Sequence, residues 1–502
     1  MLALILLASS ALTATAAAPE KAAPATVAVL PFSSAADAAS WTGLALAESV
    51  IDFIAQVNED SFVTTKQLDS VLRPRDLKLA DAGAITKRAG ELGLALGATD
   101  VIVGEVTHKG DLFSIEAKRL RIPSGAVVKT SKVQGPRAVL PLLTRKLAGE
   151  LMGATTKVPP PSKDQRALDE AAHCSGLLAR QSLSPLAKGV LDEAVVKEAE
   201  GHCRAALEAD PALGLARAGL AVALACGGKL EQAAAEAQKA REGRFVPLAV
   251  LAESFALRRS GNATGARAVL DDAVAARPGF LHALGYLGEE RMEAGDAAAA
   301  RVDFERYLKR APNHPWASAR LAHALSKLGK KDEAIKLTQQ ALAKDPADPE
   351  LSIELASRLI DAGKDQEAEP YLRQAMDATP PRNLAGLRLG YLYLRSKRTA
   401  DAKALFNRVV AAATRTDESR LRAVAQADLA RVAAQEGNFE EAVQHLGAAR
   451  EEGMRKLPCE EPVFSKWKGK PELDEVCKEK EADPARPGHA AFDENEAVAV
   501  DF

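Results

Sequence analysis

The chain has 502 residues, more than one compact core can use and enough for about three ordinary domains or one long repeat array. Lys and Arg total 66 against 68 Asp and Glu, a formal net charge of −2, which excludes a global pull toward nucleic acid and a polybasic membrane binder. Apolar residues make up 47% and aromatics only 4%, so alanine supplies much of the apolar content of a folded chain and points to closely packed helices.

The first residues read MLALILLASSALTATAAA. An apolar stretch from Leu2 to Ala8 is followed by small residues ending Ala14-Thr15-Ala16, the pattern of a secretory leader with its cleavage site, although no Lys or Arg precedes it. Residues 1–18 are expected to be a signal peptide and 19–25 an Ala/Pro linker, which places the mature protein in the periplasm or outside the cell. No later apolar run is long enough to span a membrane. An exported chain can form disulfides. Among the five cysteines, Cys459 and Cys477 flank a short segment that a bridge would staple. Cys174 and Cys203 fall on neighbouring predicted helices and are a second candidate pair. Cys203–Cys226 is an alternative, and small buried thiols are the plain reading of all three helix cysteines.

Residues 26–153 have their own texture. Thr26-Val-Ala-Val-Leu-Pro-Phe32 is a β-rich run closed by proline, and Trp41 to Val57 carries Leu44, Ala47, Val50, Ile51 and Ile54 on one helical face. A short strand at 62–65, helices at 68–72 and 82–96, three strands at 99–106, 112–120 and 126–133, and a helix at 139–151 follow. Lys109-Gly110-Asp111 and Pro123-Ser124-Gly125 supply hairpin turns. The order βαβααβββα implies a mixed sheet covered by helices. Val27-Ala-Val-Leu-Pro-Phe32, Ala98-Thr-Asp-Val-Ile-Val-Gly-Glu-Val106 and Ile122-Pro-Ser-Gly-Ala-Val127 resemble the TolB amino-terminal-like domain, related to CsgG- and FlgO-like envelope proteins. The resemblance implies a sheet-based interaction module without catalytic residues.

After a linker (154–165) with Pro159-Pro-Pro-Ser162, the chain repeats. Alanines at 199, 233, 266, 300, 334, 368 and 402 stand 34, 33, 34, 34, 34 and 34 residues apart, and prolines at 278, 312, 346 and 380 keep the same step. So do Gly288, Ala322, Ala356 and Gly390. A fixed period of this size marks a solenoid, and these residues resemble the tetratricopeptide repeat, which implies a right-handed superhelix of helical hairpins. In the clearest unit, Ala322 and Ala334 let two helices touch, Leu321, Leu325 and Leu337 fill the contact, Gly329 turns the chain and Pro346 ends the unit. One hairpin cannot bury its own apolar face, so the units must stack. About eight fill residues 166–455, with insertions around 182–189 and near Thr414. Residues 456–478 are expected to cap the last unit and 479–502 to be a disordered tail. The predicted fold class is therefore α+β, a small α/β domain followed by an all-α solenoid.

Catalytic signatures are absent: the sequence holds no G-x-x-x-x-G-K-[ST], H-E-x-x-H, G-x-S-x-G or G-x-G-x-x-G. His173-Cys174 and His202-Cys203 invite a Cys₂His₂ metal site, but neighbouring residues of one helix point about 100° apart, so no metal and no cofactor is expected. The repeat resemblance implies that first helices line a concave groove, at whose positions stand Leu248, Leu251, Phe255, His282, Trp316, His323, Ile353, Leu387 and Tyr391. Of these, Phe255, His282, Trp316, His323, Leu387 and Tyr391 are the candidate partner-binding residues, with packing between hairpins as the competing role. The expectation is a non-catalytic scaffold holding a protein or peptide partner of the bacterial envelope. The alternative is an enzyme or a cell-wall glycan binder with its site in the α/β domain.

Overall fold

A computed structural model describes residues 25–34, 41–57, 61–72, 75, 77–154, 158–179, 181, 183, 192–312, 314–346, 348–378, 382–413, 419–478 and 492–493. The expected signal peptide, most of the first linker, all of the 182–189 insertion but Leu183, the insertion near Thr414, Pro380 and nearly all of the tail lie outside the described residues.

The amino-terminal region is an α/β unit. Its strands are β1 (Thr26–Val29), β2 (Ser33–Ser34), β3 (Ser61–Phe62), β4 (Asp100–Lys109), β5 (Leu112–Arg121) and β6 (Val127–Pro136), and its helices are α1 (Thr42–Val57), α2 (Thr65–Leu72), α3 (Ala82–Lys87), α4 (Ala89–Ala95) and α5 (Leu140–Met152). The sheet runs β3-β1-β4-β5-β6, with β2 also on β4; β1, β2 and β3 pair in parallel, while β4, β5 and β6 form antiparallel hairpins. The two-residue period of β1 sorts its side chains: Val27 and Val29 join the core under α1 and α5, and Ala28 and Leu30 join the one under α2 to α4. The helix expected over 82–96 is two, broken at Arg88. Both hairpin strands run longer than the sequence suggests, because their outer ends are exposed and leave no hydrophobic mark.

Beyond this unit the described residues form eight hairpins. They pair α6 (Gln165–Leu178) with α7 (Glu193–Ala209), α8 (Gly214–Cys226) with α9 (Leu230–Ala240), α10 (Pro247–Arg259) with α11 (Ala263–Ala276), and α12 (Leu281–Glu293) with α13 (Ala297–Arg310). The remaining pairs are α14 (Pro315–Lys327) with α15 (Lys331–Lys344), α16 (Pro349–Asp361) with α17 (Asp365–Met376), α18 (Asn383–Arg395) with α19 (Thr399–Ala412), and α20 (Ser419–Glu436) with α21 (Phe439–Glu451). A cap closes the array: β7 (Met454–Lys456), a short 3-10 turn, α22 (Pro471–Cys477) and β8 (Phe492–Asp493), which pairs with β7.

The small-residue series explains the hairpin contacts. A Cβ on Gly288 would sit 2.7 Å from Phe304, and one on Gly390 would sit 2.5 Å from Phe406. The same positions in the two hairpins between them hold Ala322 opposite Thr338 and Ala356 opposite Leu372, all buried. Where the second helix carries a phenylalanine the first carries glycine, and where it carries something smaller the first carries alanine. Volume is conserved across the contact, as close packing demands.

Candidate functional site

The α/β unit does not stand apart from the array. It is seated on the edge where first helices begin and second helices end. The Phe62 ring stacks on Phe280 with centroids 5.6 Å apart, and Phe245 meets Phe280 edge-on at 5.5 Å. Thr64 Oγ1 and His282 Nδ1 share a hydrogen bond of 2.7 Å. Gln67 donates to the Tyr307 hydroxyl at 3.1 Å, Thr26 Oγ1 to the Arg310 carbonyl at 3.0 Å, and Gln56 to the Phe245 carbonyl at 2.7 Å. Gly97, at φ +60°, comes so close to α14 that a Cβ there would lie 2.7 Å from His314 Cβ, so this turn admits only glycine.

A small cleft of about 70 Å³ lies at this junction, lined by Glu48, Asp52, Lys66, Arg244, Leu248 and Leu251 among others. Its ionisable groups are already spent on joining the two parts. Glu48 accepts from Thr65 Oγ1 and from Ser175 Oγ of α6, Asp52 pairs with Arg145 and Arg244, and Lys66 donates to the carbonyls of Leu178 and Gln181 at 2.6 and 3.0 Å. Burial pushes the Glu48 carboxyl above its usual range, against the pull of those hydroxyls.

The candidate groove residues divide accordingly. His282 is buried against the α/β unit, and burial, with Lys66 adding to it, pushes its imidazole down to about 3. Phe255 and Leu387 are buried in the array core, as are Leu251 and Ile353. Trp316 belongs to an aromatic cluster between hairpins, with Phe304, Tyr307 and His314 at centroid distances of 6.1, 5.8 and 6.1 Å. His323 and Tyr391 lie on the part of the first-helix face that the α/β unit leaves uncovered, and Tyr391 is 53% exposed.

That face also carries charged side chains at the repeat period. Arg320, Glu354 and Arg388 stand 34 residues apart on α14, α16 and α18, and His323, Ser357 and Tyr391 form the next row. Arg320 lies 3.5 Å from Glu289, and Arg358 pairs with Glu354 at 3.3 Å and Asp361 at 3.5 Å. Arg388 Nε has no hydrogen-bond partner among the described residues. Burial first, and then Arg358, Arg320, Lys327 and Arg388, push the His323 imidazole down to about 3. The sequence signal was available: charged residues recurring at the repeat period.

Two disulfides brace the ends of the array. Cys174 and Cys203 join α6 to α7 with Cα atoms 5.4 Å apart, and Cys459 and Cys477 close the cap at 6.1 Å. Cys226 is a free, partly buried thiol whose pKa burial raises to about 11. Gly219 of α8 lies against the first bridge, and a Cβ there would meet both sulfurs within 2.8 Å. No described helix is long and apolar enough to cross a membrane.

Two family models, both described as tetratricopeptide repeat, match residues 251–315 and 291–357. Residues 251–357 therefore carry tetratricopeptide repeats, which support a protein-interaction scaffold. No curated protein matches it. Among solved structures it is similar to a tetratricopeptide repeat protein from Parabacteroides merdae, with 18% identity over 43% of this chain and 87% of that one and a TM-score of 0.37. It is also similar to the human IFIT1 dimer with PPP-AAAA (14% identity, 57% and 72% coverage, TM-score 0.38) and to MamA of MSR-1 (20% identity, 32% and 93% coverage, TM-score 0.27).

Proposed function

We propose that this tetratricopeptide-repeat chain is a non-catalytic scaffold of the bacterial envelope that holds an acidic segment of a partner protein on the first-helix face of α14, α16 and α18. One observation carries the reading. Arg320, His323, Arg358, Arg388 and Tyr391 cluster on this face, with Tyr391 exposed, His323 and Arg388 half-buried, and Arg320 and Arg358 buried beside Glu289 and Glu354. Guanidinium groups on a curved, preformed surface favour carboxylates and reduce the ordering cost of association. Export agrees with the leader-like first residues and with bridges at both ends of the array, since disulfides persist in oxidising compartments.

The α/β unit, which resembles the TolB amino-terminal domain, then serves as a fixed brace and a second docking surface. One sheet edge, β3, is buried, with Phe62 stacked on Phe280 and Ser61 accepting from Arg310. The other, β6, exposes Val127 and Val128 beside Lys129 and Lys132, and such an edge can accept a partner strand.

The test is fluorescence anisotropy with ten-residue peptides that differ only in Asp/Glu against Asn/Gln. The acidic peptide should bind at least tenfold tighter at low salt, lose affinity as salt rises, and lose most of it in Arg388→Glu. Equal binding of both peptides, or binding indifferent to Arg388→Glu, would reject the reading.

A further inference from the structure

The first hairpin carries a cluster that the scaffold reading does not use. His173 on α6, and Glu198 and His202 on α7, place one potential ligand atom each within 4.8 Å of one another. Glu198 and His202 are four residues apart and so share a helix face. The His173 and His202 rings lie 3.7 Å apart by centroid, and the adjoining Cys174–Cys203 bridge fixes that approach covalently. His202 Nδ1 faces Glu170 Oε2 at 2.7 Å, which leaves Nε2 as its free ligand atom. On the far side of His173, Trp41 stacks at 4.5 Å, where Gly176 leaves it room.

From this arrangement we infer a metal site: His173, His202 and Glu198 bind a divalent transition ion, with Glu170 as the carboxylate that orients His202.

The donor set suits the ion. Two imidazoles and one carboxylate, with a fourth position open to water, match the N and O preferences of zinc and its neighbours. A carboxylate hydrogen-bonded to the non-ligating nitrogen of a ligand histidine fixes its tautomer and its direction. Glu170 and Glu198 together offset a dication. Tetrahedral zinc, with bonds of about 2.0–2.1 Å, sets ligand atoms roughly 3.4 Å apart. Closing the ligand atoms from within 4.8 Å to that spacing takes up to about 1.4 Å, supplied by the exposed Glu198 and by rotation of the two half-buried imidazoles out of their stack. The cysteines are not ligands, because each is bonded to the other. The bridge instead does what a designed site asks of its supporting shell, holding two ligands from different helices at a fixed separation.

The experiment uses the full, oxidised chain after dialysis against a chelator. Zinc alone is titrated in by competition with a colorimetric chelator, and cobalt in parallel for its visible spectrum. One ion per chain is expected, with the strong visible bands of four-coordinate cobalt. Affinity should fall at least tenfold in His173→Ala, in His202→Ala and in Glu198→Gln, and by about 10–100-fold in Glu170→Gln. Copper should quench a fluorescence component that Trp41→Phe removes, and this readout in the otherwise native chain covers the case of a histidine variant that fails to fold. Absence of stoichiometric binding by the native chain, binding unchanged in folded histidine variants, or copper quenching indifferent to Trp41→Phe would each overturn the assignment.

Discussion

The half of the array under the α/β unit and the half beyond it are built from one repeat and put the same positions to opposite uses. Just before successive first helices stand Val246, Phe280, His314, Asp348 and Arg382, each 34 residues from the next. The first three are buried at the junction with the α/β unit. Asp348 instead caps α16, accepting from the backbone N–H groups of Glu350 and Leu351, and Arg382 pairs with Glu350 at 2.6 Å. Two residues on stand Leu248, His282, Trp316, Glu350 and Leu384, of which only Glu350, beyond the unit, is a carboxylate. The repeat decides where a side chain is placed. Whether another part of the chain covers that place decides what it does there.

The largest test of this contrast is Phe280→Ala. Phe280 is fully buried, stacked on Phe62 and edge-on to Phe245. Losing the ring should cost about 3–5 kcal/mol, the range of large-to-small changes in a core. Limited proteolysis should then release the α/β unit while α16 to α21 stay protected. If the whole chain became protease-sensitive together, the two halves would be a single cooperative body and the contrast would have no energetic meaning.

Acid should act at the same junction. His282 has an ordinary pKa near 6.5 and is held at about 3 by burial, so its neutral form is the one that fits against Thr64. A histidine with a depressed folded pKa contributes stability that is complete above the unfolded value and is lost as pH falls. Between pH 6.5 and about 3 the junction should weaken by about 2–4 kcal/mol, and His282→Gln should remove most of that dependence. Denaturant midpoints measured across that window decide it, and parallel pH slopes for both proteins would show that His282 does not govern the junction.

Much of this was legible in the sequence. Residues at a strict 34-residue step, such as Ala300, Ala334 and Ala368, mark hairpins because the contact between two helices tolerates only small side chains there, and the structure buries all three. Val27 to Phe32 announced a buried strand by composition. The docking of the α/β unit was not legible, because it depends on pairs such as Thr64 with His282 and Gln67 with Tyr307, which lie more than 200 residues apart and follow no period. His282 and Trp316 therefore read as open groove when one meets the α/β unit and the other a neighbouring hairpin. Tyr391 keeps its exposure because no described residue covers it.

The smallest effect is the most discriminating, because it asks what the contrast should leave untouched. Gly288 lies in the covered half and Gly390 in the uncovered half, yet both face a phenylalanine of their own hairpin at under 3 Å from an added Cβ. If hairpin packing is internal to each repeat, Gly288→Ala and Gly390→Ala should cost the same, about 1–3 kcal/mol of overpacking less about 1 kcal/mol regained in helix propensity. The chain already contains the relief, since Ala356 sits comfortably opposite Leu372. Adding Phe304→Leu or Phe406→Leu to the matching alanine variant should therefore recover stability, with a coupling of the same sign in both halves. Melting curves of the two double-mutant cycles measure it. A larger penalty at Gly288 would mean that the α/β unit tightens the hairpins it covers, and the difference between the halves would then reach into the repeats themselves.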